Sequence, residues 1–148
     1  MIPSKAVLLL CLTGLLFPLA SQSPQIGAYR EARELQQDGR YYAAVEAYTG
    51  LVQAYPSYVD PYAGLAESFF MLGEYADALD YVESAIRLRR GDIGLKVLKG
   101  RILVGSGRFD QGRELFAEVL KSEPNNIEAR LGMAELDVAE GKVGDAIQ

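Results

Sequence analysis

The middle of the chain reads Leu72-Gly73-Glu74-Tyr75-Ala76-Asp77-Ala78-Leu79-Asp80-Tyr81, which is the pattern of a helix end, a glycine turn and a helix start. The pattern recurs at a period of 34 residues, with its glycines at Gly39, Gly73, Gly107 and Gly141. Two residues after each glycine stands a larger apolar residue: Tyr41, Tyr75, Phe109 and Val143. Five residues after each stands a small one: Ala44, Ala78, Gly112 and Ala146. Self-similarity at one fixed period indicates a repeat architecture.

The period divides residues 24–148 into helix pairs, each with a helix A and a helix B. The units are about 25–58, 59–92, 93–126 and 127–148, the last one incomplete. In the second unit we expect helix A near 61–72, capped by Asp60 with Pro61 as its first residue, and helix B near 76–89. Apolar residues recur at three- and four-residue spacing, and a lone unit cannot bury them. The sequence therefore predicts an all-α solenoid of stacked units.

Composition excludes several classes of function. The formal net charge of -5 argues against nucleic acid, whose phosphates would repel such a surface. The chain has no His and a single Cys, which excludes a His/Cys metal site, a Cys-His pair and a Ser-His-Asp triad. No pair of carboxylates is placed as an acid-base pair would be. We expect no enzyme activity, no metal and no cofactor.

Residues 1–23 have the order of a secretory signal peptide. Lys5 supplies the positive charge, residues 6–16 are mostly apolar, and residues 17–23 turn small and polar. The prediction is an exported protein, periplasmic or extracellular, and a simple leader of this kind suits a bacterium. Two alternatives stay open: an uncleaved membrane anchor, although the apolar run is short for a bilayer span, and a buried N-terminal helix.

The repeat resembles the tetratricopeptide repeat, a helix-turn-helix unit of the same length. The second unit matches best, through Tyr62, Leu65-Ala66, Phe69, Gly73, Tyr75, Ala78 and Ala85. Departures stand elsewhere: Lys99 and Glu31 replace the Leu, Asp137 stands at an aromatic column, and the helix-closing proline of the second unit is Arg90. The resemblance implies a right-handed α-solenoid whose concave groove, lined mostly by the A helices, binds an extended peptide or a partner helix.

When the groove positions of the family are transferred to this sequence residue by residue, they give the candidate partner-binding residues Tyr29, Arg30, Arg33, Gln36, Glu67, Phe70, Met71, Arg101, Val104 and Glu135. The same transfer also places Gly64, Val97, Leu98 and Gly132 in the groove. One column, which we call the charge row, alternates in sign: Arg33, Glu67, Arg101 and Glu135. Its members either form salt bridges between neighbouring helices or leave the arginines to receive acidic groups of a ligand. Phe70, Met71 and Val104 would then form an apolar floor, unless they pack under a neighbouring helix.

One subgroup of the family grips the C-terminal carboxylate of chaperone tails with Lys and Asn at set positions. The corresponding residues here are Tyr29, Arg33, Gly64, Gly94 and Leu98, of which Arg33 alone could serve. We therefore expect this clamp to be absent.

The resemblance and the composition together predict a non-catalytic protein-protein interaction scaffold of the cell envelope. The alternative is an N-terminal targeting or interaction module of a longer exported enzyme. The given sequence stops early in the last helix B, so we expect it to be the N-terminal piece of a longer protein. Otherwise a partner or a second copy would cover that end, with self-association as the result.

Overall fold

The computed structural model describes residues 23–141, and that part of the chain folds into seven α-helices without a strand. The helices are α1 (Pro24–Gln37), α2 (Tyr41–Ala54), α3 (Val59–Leu72), α4 (Tyr75–Leu88), α5 (Ile93–Gly105), α6 (Phe109–Ser122) and α7 (Ile127–Ala139). Odd-numbered helices are the predicted A helices and even-numbered ones the B helices. The leader prediction, apart from Ser23, and the last helix B lie outside the described residues.

The four period-setting glycines all adopt the left-handed conformation, with φ of 74°, 79°, 79° and 71° in chain order. A side chain disfavours this conformation and glycine does not, which explains why the turn keeps glycine in every unit. Gly91 is the other described residue with positive φ, at 82°. It follows Arg90, so a glycine turn ends the unit that lacks the closing proline.

Helix starts differ from the prediction in the second unit. Asp60 does not cap helix A, because α3 already begins at Val59 after Tyr58, which makes no side-chain cap. Asp60 lies in the first turn, where a negative charge is favourable, and its carboxylate accepts a hydrogen bond from Arg89 at 3.0 Å. Side-chain caps occur later, where Asp92 accepts from the Leu95 N–H at 3.1 Å and Asn126 from the Ala129 N–H at 2.9 Å.

Helix contacts arrange the molecule in two layers. Each helix packs against its neighbours in sequence, and the A helices also contact one another, α1 with α3, α3 with α5 and α5 with α7. Within the described residues, the B helices touch A helices but not each other. The A helices therefore form the inner layer of an all-α solenoid, and the B helices splay on the outside.

Close approach of the helices depends on small residues. Ala44, Ala78 and Gly112 after the turns are buried, as are their helix-A counterparts Ala32, Ala66 and Gly100. Ala146 lies outside the described residues. Between successive units, one column of larger side chains is fully buried in every case: Tyr48, Val82 and Phe116.

Two departures from the repeat pattern are ion pairs between helices. Lys99, at a Leu column, contacts Glu83 of α4 at 2.8 Å. Asp137, at an aromatic column, contacts Arg113 of α6 at 3.1 Å, and Glu140 contacts the same guanidinium at 3.0 Å. Charged pairs thus join helices at positions where other units use apolar contact. Among residues 23–141, no helix combines the length and apolar character that a membrane crossing requires.

Candidate binding groove

The inner layer carries a cavity of about 420 Å³, which we call the groove cavity. Its lining comes from α1, α3 and α5 and from the start of α2: Arg33, Gln36, Gln37, Tyr41, Glu67, Phe70, Met71 and Arg101. Six of these residues belong to the predicted partner-binding set. The positions that the family resemblance implies for the groove thus include six residues that line this cavity.

A second cavity, of about 210 Å³, adjoins the first at Arg101. It is lined by Arg101 of α5 together with Glu128, Leu131, Gly132 and Glu135 of α7. Because Arg101 borders both cavities, the inner surface forms one trough across α1, α3, α5 and α7. All four members of the charge row lie along this trough.

A hydrogen-bonded chain connects the core to the groove cavity through Gln36. The buried Tyr48 hydroxyl donates to Gln36 Oε1 at 3.0 Å, and Gln36 Nε2 donates to Glu67 Oε2 at 3.1 Å. Burial, with the charges of Tyr29 and Glu67 adding to it, raises the pKa of Tyr48 far above its ordinary value, so its hydroxyl remains a donor. Gln36 is thereby oriented from below, and it holds the Glu67 carboxylate at the cavity wall.

Arg101 rests on an aromatic ring at the other side of the groove cavity. Its guanidinium carbon lies 5.5 Å from the centroid of Phe70, within cation-π range. The Phe70 ring is fixed in turn by Tyr75, with centroids 6.1 Å apart. Met71 beside it is 54% exposed, which offers apolar surface at the cavity rim.

None of the ion pairs among the described residues joins two members of the charge row. Glu67 is held by the neutral Gln36, and Arg101 by the Phe70 ring. The ion pairs that do occur lie elsewhere, such as Lys99–Glu83 and Lys96–Glu118. Of the two alternatives for the row, salt bridges between its neighbouring members do not occur among the described residues, and four charges of alternating sign face the trough.

The structure places the remaining candidates outside the groove cavity. Tyr29 is half-buried, with ring centroids 5.9 Å from Tyr48 and 5.5 Å from Tyr58, and burial raises its pKa. Arg30 is exposed on α1. Val104 packs against α6, where its Cγ2 would lie 2.7 Å from a Cβ at Gly112. Packing under a neighbouring helix is thus the correct alternative for Val104.

Four further positions that the family resemblance assigns to the groove are buried: Gly64, Val97, Leu98 and Gly132. Gly64 lies under the Tyr48 ring and Gly132 under the Phe116 ring, and a Cβ at either would overlap the ring. Val97 and Leu98 are 1% and 6% exposed. These residues form the contacts between units. Gly132 also borders the second cavity, whereas Gly64, Val97 and Leu98 line neither cavity.

Comparisons with known proteins agree with this architecture. Two tetratricopeptide-repeat family models match the chain, one over residues 29–93 and the other over residues 103–148. Among curated proteins, the Arabidopsis thaliana Protein CTR9 homolog is 28% identical over 75 residues, which are 51% of this chain and 7% of that protein. The chain thus spans a small part of that relative's length.

Solved structures with the same fold include the second TPR domain of human RPAP3 in complex with the HSP70 peptide SGPTIEEVD. Its TM-score is 0.69 at 21% identity, and the match covers 76% of this chain and 95% of that domain. A mutant of the Thermobaculum terrenum O-GlcNAc transferase has a TM-score of 0.68 at 21% identity, covering 78% of this chain and 23% of the transferase. Together with the glycine period, the helix pairs and the inner trough, these matches show an all-α solenoid of tetratricopeptide repeats.

Proposed function

We propose that this chain is a non-catalytic scaffold that binds a peptide or partner protein in its inner trough. The observation that carries the proposal is the groove cavity, where Arg33 and Arg101 stand with the apolar Phe70 and Met71 around one space. An arginine offers a planar fork of donors matched to a carboxylate, and the apolar neighbours favour a side chain beside it. A ligand with acidic groups next to apolar ones fits this lining.

The RPAP3 domain supports this proposal as a protein of the same fold whose structure contains a peptide. The carboxylate clamp of one subgroup of the family would not form here. At the positions expected to form a carboxylate clamp, Gly64 and Leu98 are buried and Tyr29 packs against other tyrosines. The groove cavity would instead bind through Arg33 and Arg101.

The proposed setting is the cell envelope or the exterior, and it rests on the leader pattern of residues 1–23. Fractionation of cells that express the chain tests it. Export predicts a processed product in the periplasm or medium, and a product of full length in the cytoplasm would contradict it.

The alternative proposal is a module of a longer exported enzyme. It is favoured by one comparison, since the matched O-GlcNAc transferase is an enzyme of which this chain spans 23%. The coding sequence beyond Gln148 distinguishes the two proposals. Further units of the same period support the scaffold, and a catalytic domain supports the enzyme module.

The groove proposal is tested by affinity capture from an envelope extract, with the chain as bait and mass spectrometry to identify the captured protein. The bait variant R33E/R101E should lose that protein. The control R40E/R130E makes the same charge change at two exposed arginines outside both trough cavities and should retain it. Equal capture by both double variants would reject the groove, and the captured protein should bind the purified chain directly.

A further inference from the structure

The spacing of the charge row and the order of its signs predict the form of the ligand, in addition to the acidic groups that the arginines would bind. The four members of the row stand on four successive A helices, α1, α3, α5 and α7, which contact one another in that order. Packed helices lie about 8–10 Å apart, so the signs plus, minus, plus and minus recur along the trough at about that interval. No ion pair cancels any of the four among residues 23–141, as described above.

An apolar residue follows each glutamate of the row at a distance of three residues. Phe70 follows Glu67 on α3, and Val138, 63% exposed, follows Glu135 on α7. Residues three apart on a helix are neighbours on its surface. The trough therefore presents a charged and an apolar position side by side on α3 and on α7, which are alternate A helices.

An α-helix lying along the trough matches both features. Seven residues of helix advance about 10.5 Å and return to nearly the same face, and the residue three or four further on shares that face. A β-strand covers a similar distance in three residues, but the third residue points to the opposite face. A polyproline II segment returns every three residues, yet its neighbouring side chains diverge by about 120°, which separates the charge from its apolar neighbour.

We propose, on the basis of the proposed groove function, that the trough binds an amphipathic α-helix whose charges alternate in sign at seven-residue intervals. Acidic residues of that helix lie opposite Arg33 and Arg101, and basic residues opposite Glu67 and Glu135. Apolar side chains next to the basic ones contact Phe70 and Val138. Gln36 and the Phe70 ring orient Glu67 and Arg101 before the ligand binds. Because these two charges are fixed in place, the trough can distinguish ligands that carry the same charges in a different order.

The test uses labelled helical peptides of about 25 residues and fluorescence anisotropy with the full chain. The first peptide carries Glu, Lys, Glu and Lys at seven-residue intervals, with Leu three residues after each Lys. The second has the same composition in the order Glu, Glu, Lys, Lys. Two matched charges become repulsive in the second peptide, so we expect it to bind about tenfold more weakly, with the difference shrinking in high salt.

A charge exchange in the protein provides the rescue. R101E/E135R keeps the net charge and the Gln36–Glu67 contact, and changes the order of signs along the trough to plus, minus, minus and plus. This variant should prefer a peptide with Glu, Lys, Lys and Glu at the same intervals over the alternating peptide, a reversal of the wild-type preference. A merely non-specific electrostatic attraction would leave the preference unchanged and overturn the proposal.

Two outcomes separate this inference from the function on which it rests. If the peptides bind alike while the captured partner still requires Arg33 and Arg101, the helical register is wrong and the groove function stands. If the R33E/R101E variant also retains the captured partner, the groove function is wrong as well. Tighter binding of a proline-rich peptide with the same charges at every third residue would overturn the helical form of the ligand.

Discussion

The ring of Tyr48 in α2 lies directly on the backbone of Gly64 in α3, so a Cβ on that glycine would be 2.6 Å from Cε2 of the ring. The relation recurs two units later, where Phe116 lies on Gly132 with 2.9 Å between a Cβ there and Cε1. Between them, the smaller Val82 stands at the ring position and the larger Leu98 at the glycine position, and both belong to one core cluster. Each unit boundary is thus filled by side chains of complementary size.

Gly64→Ala should destabilise the array, because the new methyl group can be accommodated only if the Tyr48 ring moves. Overpacking of this kind costs about 1–3 kcal/mol in the free energy of unfolding. The matched control is Gly50→Ala in α2, where a Cβ meets nothing within 4 Å. Replacing that helical glycine should instead stabilise by about 0.5–1 kcal/mol. Urea unfolding followed by circular dichroism measures both, and equal effects would refute the packing account.

Gly64→Leu combined with Tyr48→Val should transfer the Val82–Leu98 arrangement to the first unit boundary. Each single change is destabilising, the first by overpacking and the second by a cavity and by loss of the hydrogen bond to Gln36. The double variant should be more stable than the sum of the two effects predicts, by about 1–3 kcal/mol of coupling. Simple additivity would show that the two positions do not share a packing site.

The period and the turns could be predicted from the sequence because they depend on local chemistry, since a left-handed turn requires glycine. The inward face of the A helices was implied by the family resemblance, and six of the residues that it implies line the groove cavity. Burial of Gly64, Leu98 and Gly132 could not be found in this way. The burial of each of these residues depends on the size of the side chain sixteen residues earlier, which lies on a different helix. The pairing of a larger with a smaller side chain at this spacing was the signal available in the sequence.

Two other differences have equally specific causes. Asp60-Pro61 has the composition of a helix start, but α3 begins two residues before the proline, and Asp60 serves as a first-turn acid paired with Arg89. Val104 stands at the same repeat position as Phe70, one unit later. Gly112 lies opposite Val104, and because this glycine has no side chain, α6 can approach and cover Val104. Tertiary contacts thus outweigh local pattern at both positions.

Ser68→Ala should leave stability unchanged or raise it by up to about 1 kcal/mol. The Ser68 hydroxyl is completely buried in α3 and has no hydrogen-bond partner among the described residues, so removing it removes an uncompensated polar group. Ser84→Ala in α4 is the control for helix propensity, since its Oγ donates to the Asp80 carbonyl at 2.9 Å and accepts from Arg87 at 2.7 Å. In thermal unfolding, Ser68→Ala should have a higher Tm than Ser84→Ala. The reverse order would imply that the Ser68 hydroxyl has a hydrogen-bond partner.

The Lys99–Glu83 ion pair between α5 and α4 should make stability depend on pH in the acid range. The hydrogen bond from Lys99 holds the pKa of Glu83 below its usual value of 4.5, so the folded state binds this proton less readily than the unfolded state does. The pair therefore stabilises above about pH 4.5, and its contribution is lost as the pH falls through the lower folded-state pKa. Because the Glu83 side chain is 46% exposed, solvent screening limits the effect at pH 7 to about 0–1 kcal/mol. Glu83→Gln should melt below the wild type at pH 7, converge with it near pH 3, and show a smaller gap in high salt. A gap that stays constant from pH 7 to pH 3 would assign the effect to packing rather than to charge.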